Sequence, residues 1–170
     1  MNTSEELRGW LAGRLPDGWF DGPPELTVDR EEITIVGRLA PPTVADGASA
    51  VERAAAVAGR IKGFREDTRA ARVAIARELE HRAERKVAWG VMVEDRRELF
   101  TTLSVPVMTR LRQADRRVLD TLVESGVARS RSDALAWCVK LVGEHTDDWL
   151  DRLRESMAQV RRLREDGPPV

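Results

Sequence analysis

The stretch 107–142, VMTRLRQADRRVLDTLVESGVARSRSDALAWCVKLV, decides how this chain is read. It opens on a short segment of alternating side chains, the pattern of a strand. A helix follows from about Gln113 to Ser125, with Val118, Leu119, Leu122 and Val123 expected on its buried face. Gly126 supplies the left-handed residue on which such a helix ends. Ser130 and Asp133 then have capping-box spacing. The helix they open places Leu135, Cys138 and Val142 on one face and breaks between Gly143 and Thr146.

In order and spacing, the alternating strand, the LDTLV helix, the ESGV turn and the SRSDAL helix start resemble the ribbon–helix–helix family of DNA-binding proteins, to which the Arc and MetJ repressors belong. The resemblance covers about 36 of 170 residues, within roughly 103–145. It implies that two chains each donate one strand to an antiparallel ribbon above a core shared by the helices of both. That agrees with elementary physics, because the N–H and C=O groups of a lone strand need partners. Val107, Thr109 and Leu111 then face the dimer core, while Met108 and Arg110 face outward with Arg112 close by. These last three are the expected base-contacting residues, since a two-stranded ribbon fits the major groove and Arg can bind guanine O6 and N7 together. The expected phosphate contacts are Arg129, Ser130, Arg131 and Ser132, where a helix start offers free N–H groups and the positive end of its dipole.

Two departures bear on this reading. Met108 stands where the family more often has a polar residue, and it reads base edges poorly. A slip of the strand to Leu103, Val105 and Val107 would turn Thr102, Ser104 and Pro106 outward and remove the Arg contacts. The distance from LDTLV to the strand favours the first register.

Working outward, the charge follows the same division. The chain carries 28 Lys plus Arg against 29 Asp plus Glu. Residues 1–50 hold four Arg against nine acids, while the window 108–117 holds four Arg and one Asp. A near-zero net charge therefore hides a basic ribbon and an acidic N-terminal stretch. Arg outnumbers Lys 25 to three, which a GC-rich genome explains as readily as nucleic acid does. Placement, not abundance, carries the argument.

Residues 1–100 match no family by inspection. Thr3 and Glu6 have capping-box spacing before a helix with Leu7, Trp10, Leu11 and Leu15 on one face, stopped by Pro16. DGWFDGPP reads as a loop, and Glu25–Leu39 as a hairpin turning at DREE. After the connector APPTVADG, Ser49 and Glu52 open a helix expected to run to about Arg85. Its buried face is expected to hold Val57, Ile61, Phe64, Thr68, Ala71, Ile75 and Leu79, with Gly59 and Gly63 as a kink or a close-packing point. Lys86–Val93 and Leu99 to about Leu111 read as strands joined at EDRR, the second interrupted by Pro106. A last helix from about Asp147 carries Leu150, Leu153, Met157, Val160 and Leu163, and GPPV reads as a frayed tail.

Catalytic signals are weak. His81 and His145 stand alone without metal-ligand spacing, and Cys138 sits in an apolar helical stripe without a nearby base. The five Trp residues are scattered and read as core and interface anchors. The acids at Asp29, Glu31 and Glu32 and at Asp147 and Asp148 belong to a turn and a helix start. The chain has no phosphate-binding loop, dinucleotide fingerprint or nucleophile elbow. Neither enzyme activity, cofactor nor metal is expected. MNTSEELRGW lacks the features of a secretory signal and no apolar run is long enough for a membrane span, so a cytoplasmic protein is expected.

The expected fold is α+β: a ribbon–helix–helix domain at 101–145 forming an intertwined homodimer, preceded by a 1–100 module of hairpins and a long helix, and followed by a C-terminal helix at 146–170. The expected function is a sequence-specific transcriptional regulator, with a protein partner or small-molecule effector at the N-terminal module. The alternative is a dimerisation scaffold whose N-terminal module binds a protein, including an antitoxin-like role, without specific DNA binding.

Overall fold

The computed structural model describes residues 4–166. The expected cap at Thr3, the Leu163 side chain and the GPPV tail lie outside the described residues. The chain divides into two units, one ending at Pro106 and the other starting at Val107.

In the first unit, helix α1 (Ser4–Arg14) precedes strands β1 (Glu25–Val28) and β2 (Glu32–Arg38). Helices α2 (Ala50–Asp67) and α3 (Arg69–Ala83) lead to β3 (Lys86–Val93) and β4 (Arg96–Leu99). The two hairpins are one sheet, in the order β1-β2-β3-β4. Its central pair, β2 and β3, is parallel, with Ile33 opposite Val87 and Ile35 opposite Trp89. A parallel pair cannot be closed by a tight turn. The two helices between β2 and β3 supply the crossover.

Local chemistry explains the ends of these elements. Asp29 Oδ1 accepts from the N–H groups of Glu31 and Glu32, which closes the DREE turn. At the start of α2 the capping box forms in full, with Ser49 Oγ accepting from Glu52 N–H and the Glu52 carboxylate from Ser49 N–H. Those bonds hold the Glu52 carboxyl below its usual pKa, the one from the Ser49 backbone most of all. The second hairpin turns at Glu94 and Asp95, and Glu94 takes the left-handed conformation.

The long helix expected from Ser49 to Arg85 is two. The break falls at Thr68, whose φ of −94° and ψ of 0° leave the helical region. Thr68 Oγ1 donates to the Phe64 carbonyl at 2.6 Å and accepts from Arg72 Nε at 2.9 Å. Gly59 and Gly63, the expected kink or packing point, are neither: a Cβ on either would meet nothing within 4 Å. Beyond the break the inward position belongs to Arg72, only 6% exposed, and Ala71 is exposed. The Arg72 guanidinium lies 4.7 Å from the centre of the Phe100 ring and donates to the Arg65 carbonyl. Burial, then repulsion from Arg65 and Arg69, lowers its pKa from the ordinary guanidinium value.

The core packs Leu7 and Leu11 of α1 with Ile33, Ile35, Ile75, Leu79 and Trp89. A second group joins Leu39, Val57, Ile61, Val91 and Val93. Trp19 and Phe20, in the loop after α1, contact Phe64 at ring-centre distances of 5.6 and 5.5 Å. Gly37 admits this loop: a Cβ there would lie 2.0 Å from the Phe20 ring. Arg14 clamps α1 to α3 through two bonds to the Glu78 carboxylate, at 2.9 and 2.6 Å.

In the second unit, α4 (Gln113–Glu124) is followed by α5 (Arg131–Asp166). Thr146, with φ of −131° and ψ of 19°, interrupts α5 where the sequence places a break. The expected strand from Leu99 to Leu111 is not formed in the single chain: β4 ends at Leu99, and residues 101–112 have no regular structure. A strand needs a neighbouring backbone, and within one chain this segment has none.

Candidate nucleic-acid interface

The second unit is built on a slender core. Among its described residues only Leu119, Ala128 and Ala134 are buried, with Leu111, Leu122, Val123, Leu135 and Cys138 packed partly against them. Val118 and Val142, expected inside, are 56% and 57% exposed. The α4–α5 turn is closely determined. Gly126 has φ of 78°, and the N–H groups of Gly126 and Ala128 donate to the carbonyls of Val123 and Leu122. Ser130 Oγ accepts from Asp133 N–H, while the Asp133 carboxylate accepts from Arg129 N–H. That backbone bond is the main reason the Asp133 carboxyl is held below its usual pKa.

The expected base-contacting residues lie together on the segment leading into α4. Met108 is 96% exposed and Arg110 and Arg112 are exposed, while Leu111 turns toward Leu119. Neither Arg110 nor Arg112 makes an ion pair or side-chain hydrogen bond among the described residues. Arg116 is exposed, yet its Nη1 donates to the Leu111 carbonyl at 2.9 Å and fixes the end of this segment to α4. A side chain reaching back across a helix start leaves no mark in sequence periodicity.

The expected phosphate contacts divide. Arg129 has its side chain 94% exposed and its Nε in an ion pair with Asp133 at 3.6 Å. Ser132 is exposed, and Ser130 is occupied as the cap. Arg131 is already engaged, with Nε and Nη2 binding both Asp120 oxygens at 2.6 and 2.9 Å. The bond raises the Arg131 pKa and lowers that of Asp120. This pair joins α4 to α5, and Arg131 reaches a phosphate only by sharing or leaving Asp120.

The other candidate features fall elsewhere. His81 and His145 are both exposed, and the described residues contain no cluster of three or more His, Cys, Asp or Glu fit for a metal ion. No described helix is long and apolar enough to cross a membrane. In the first unit, α1, the following loop and β1 line a half-open cavity of about 610 Å³. Its walls are mostly apolar, including Leu15, Phe20 and Leu26, with Arg8 among its charged residues.

Fold and site therefore define a two-unit α+β protein: an N-terminal unit with a complete core and a C-terminal helical pair preceded by an unpaired basic segment. Residues 5–99 match the N-terminal domain of the Rv1265-like protein, and residues 112–164 match the Mb1296 C-terminal domain. Over 161 residues the chain is 57% identical to uncharacterized protein Mb1296 of Mycobacterium bovis and, to the same extent, uncharacterized protein Rv1265 of Mycobacterium tuberculosis. Each alignment covers 95% of this chain and 70% of the relative. The chain belongs to this Rv1265-like family. No solved structure matches it.

Proposed function

We propose that the protein is a sequence-specific DNA-binding regulator acting as a homodimer, in which residues 107–112 of two chains pair as a ribbon–helix–helix ribbon and enter the major groove. The observation carrying this reading is the segment itself: exposed and without backbone pairing, with Arg110 and Arg112 uncommitted, and anchored at Leu111 to the helical pair. In an extended ribbon, Leu111 turned inward puts Thr109 and Val107 on the same side and Met108 and Arg110 on the other. That favours the register bearing the Arg contacts. Each bidentate contact to guanine discriminates by about 1–3 kcal/mol. Arg129 and Ser132 serve as phosphate contacts, and Arg131 acts first as the tie to Asp120.

In this reading the N-terminal unit is the regulatory part. Its cavity fits a small-molecule effector with an apolar body, and the cellular site of action is the cytoplasm. The test is selection of bound fragments from genomic DNA by the full chain. An enriched sequence is expected, with affinity falling steeply as salt rises. Arg110→Ala should abolish the enrichment while leaving the oligomer intact. Equal, salt-insensitive binding to every fragment would reject the proposal. Recovery of a protein partner that depends on residues 1–45 and ignores Arg110→Ala would favour the scaffold reading.

A further inference from the structure

Beyond Thr146, α5 continues as a helical segment that neither the ribbon nor the α4–α5 core employs. From Asp147 to Asp166 it is about 30 Å long at 1.5 Å per residue. Along it Trp149, Leu153, Met157 and Val160 are between 44% and 58% exposed, and Leu150 is half-buried. Leu150, Leu153, Met157 and Val160 follow one another at steps of three, four and three, the spacing of a coiled-coil seam. An apolar stripe this long on a single exposed helix marks a contact surface.

The charges say what covers it. Residues 147–156 carry Asp147, Asp148, Asp151 and Glu155 against Arg152 and Arg154, and residues 157–166 carry Arg161, Arg162 and Arg164 against Glu165 and Asp166, so the segment is net acidic in its first half and net basic in its second. A parallel copy would set acid on acid and Arg on Arg. An antiparallel copy sets each acidic end beside a basic one and also opposes the helix dipoles. The seam has the matching symmetry. Leu150 and Val160 are equally distant from Glu155, as are Leu153 and Met157, so two antiparallel copies place Leu150 against Val160 and Leu153 against Met157. This is the self-complementary contact that a two-fold axis requires. On the flank of the seam, Asp147 and Arg161 are equally distant from Arg154 and so face each other across the pair. Neither makes an ion pair or side-chain hydrogen bond among the described residues. Arg154 would meet its own copy at the axis, and its charge is already countered by the Asp151 carboxylate.

We infer that residues 147–164 form an antiparallel two-helix contact with a second copy of this chain, a self-association surface separate from the ribbon and independent of DNA. Sedimentation of the full chain without DNA tests it. Leu153→Glu combined with Met157→Glu should weaken association about tenfold or more while helix content is kept. Asp147→Arg and Arg161→Asp should each weaken it, and the two together should restore it. Direction is read by disulfide formation in a Cys138→Ser background: chains bearing Leu150→Cys should cross-link to chains bearing Val160→Cys, and neither to itself. Unchanged association in the double Glu variant overturns the inference. So does failure of the charge swap to restore association, or cross-linking of Leu150→Cys chains to one another.

Discussion

The two units bury their apolar side chains to different degrees. In the first, side chains of α1, the sheet and α3 close around Ile33, Ile35, Leu79 and Trp89, and the charged exception, Arg72, is satisfied by Thr68, a carbonyl and the Phe100 face. In the second, one leucine and two alanines are buried, while Val107, Val118, Trp137, Val139 and Val142 stay exposed. A domain below about 70–80 residues seldom builds enough core alone. The N-terminal unit is therefore expected to be stable as one chain; if the proposed homodimer forms, the C-terminal unit should draw its stability from association.

The largest test of this contrast is core truncation. Ile35→Ala should cost about 2–5 kcal/mol. The loss should be read as faster amide exchange throughout β2 and β3, whatever the protein concentration. An equal loss of protection in α4 and α5 would mean that the units do not unfold separately. Val118→Ala should leave β2 and β3 protected and act through association alone, visible as a shift in the monomer–oligomer equilibrium.

Next in size is Gly37→Ala, which drives a methyl group into the Phe20 ring and should cost about 1–3 kcal/mol. Thermal unfolding of this variant should recover if Phe20 is also changed to Leu. No recovery would mean that the strain lies in the strand rather than the ring contact.

Dilution sharpens the comparison further. Unfolding of α4 and α5 should depend on concentration, with each tenfold dilution removing about 1.4 kcal/mol of stability for a dimer. The sheet of the first unit should show no such dependence. Exchange measured at two concentrations distinguishes them.

Acid gives the smallest effect. Asp120 has its carboxyl lowered below the ordinary 3.8 by the hydrogen bonds from Arg131. A carboxyl with a lower pKa in the folded chain stabilises it above its unfolded value, and that contribution is lost as pH falls through the folded value. The α4–α5 tie should therefore weaken only below about pH 3.8. Because both partners are exposed, the loss is small. Asp120→Asn should remove this acid-dependent step in an exchange experiment and leave the first unit's acid response unchanged.

Much of the site's skeleton was legible in the sequence because it is local. Gly126, the Ser130–Asp133 cap and the break before Asp147 act through residues within a few positions of one another, and periodicity marked Leu119 and Leu135. Arg110 and Arg112 are exposed, but so are Val107 and Thr109, so the single chain does not display the alternation read from the sequence. The Arg131–Asp120 pair was not legible, because nothing in the residues between them marks the contact. The expected strand from Leu99 to Leu111 erred because β propensity reports what a backbone can adopt, whereas a strand exists only beside another backbone.

By itself, the sequence determined the hairpin of β1 and β2, the caps at Ser49 and Ser130 and the helix–turn–helix order, all set by hydrogen bonds and side-chain periods over short spans. The tertiary structure alone decided that β2 and β3 lie parallel in one sheet and that Arg72 enters the interior against the Phe100 ring. Each of these depends on groups brought together from distant parts of the chain. The energy of such a contact belongs to the pair, and neither residue carries a sign of it alone.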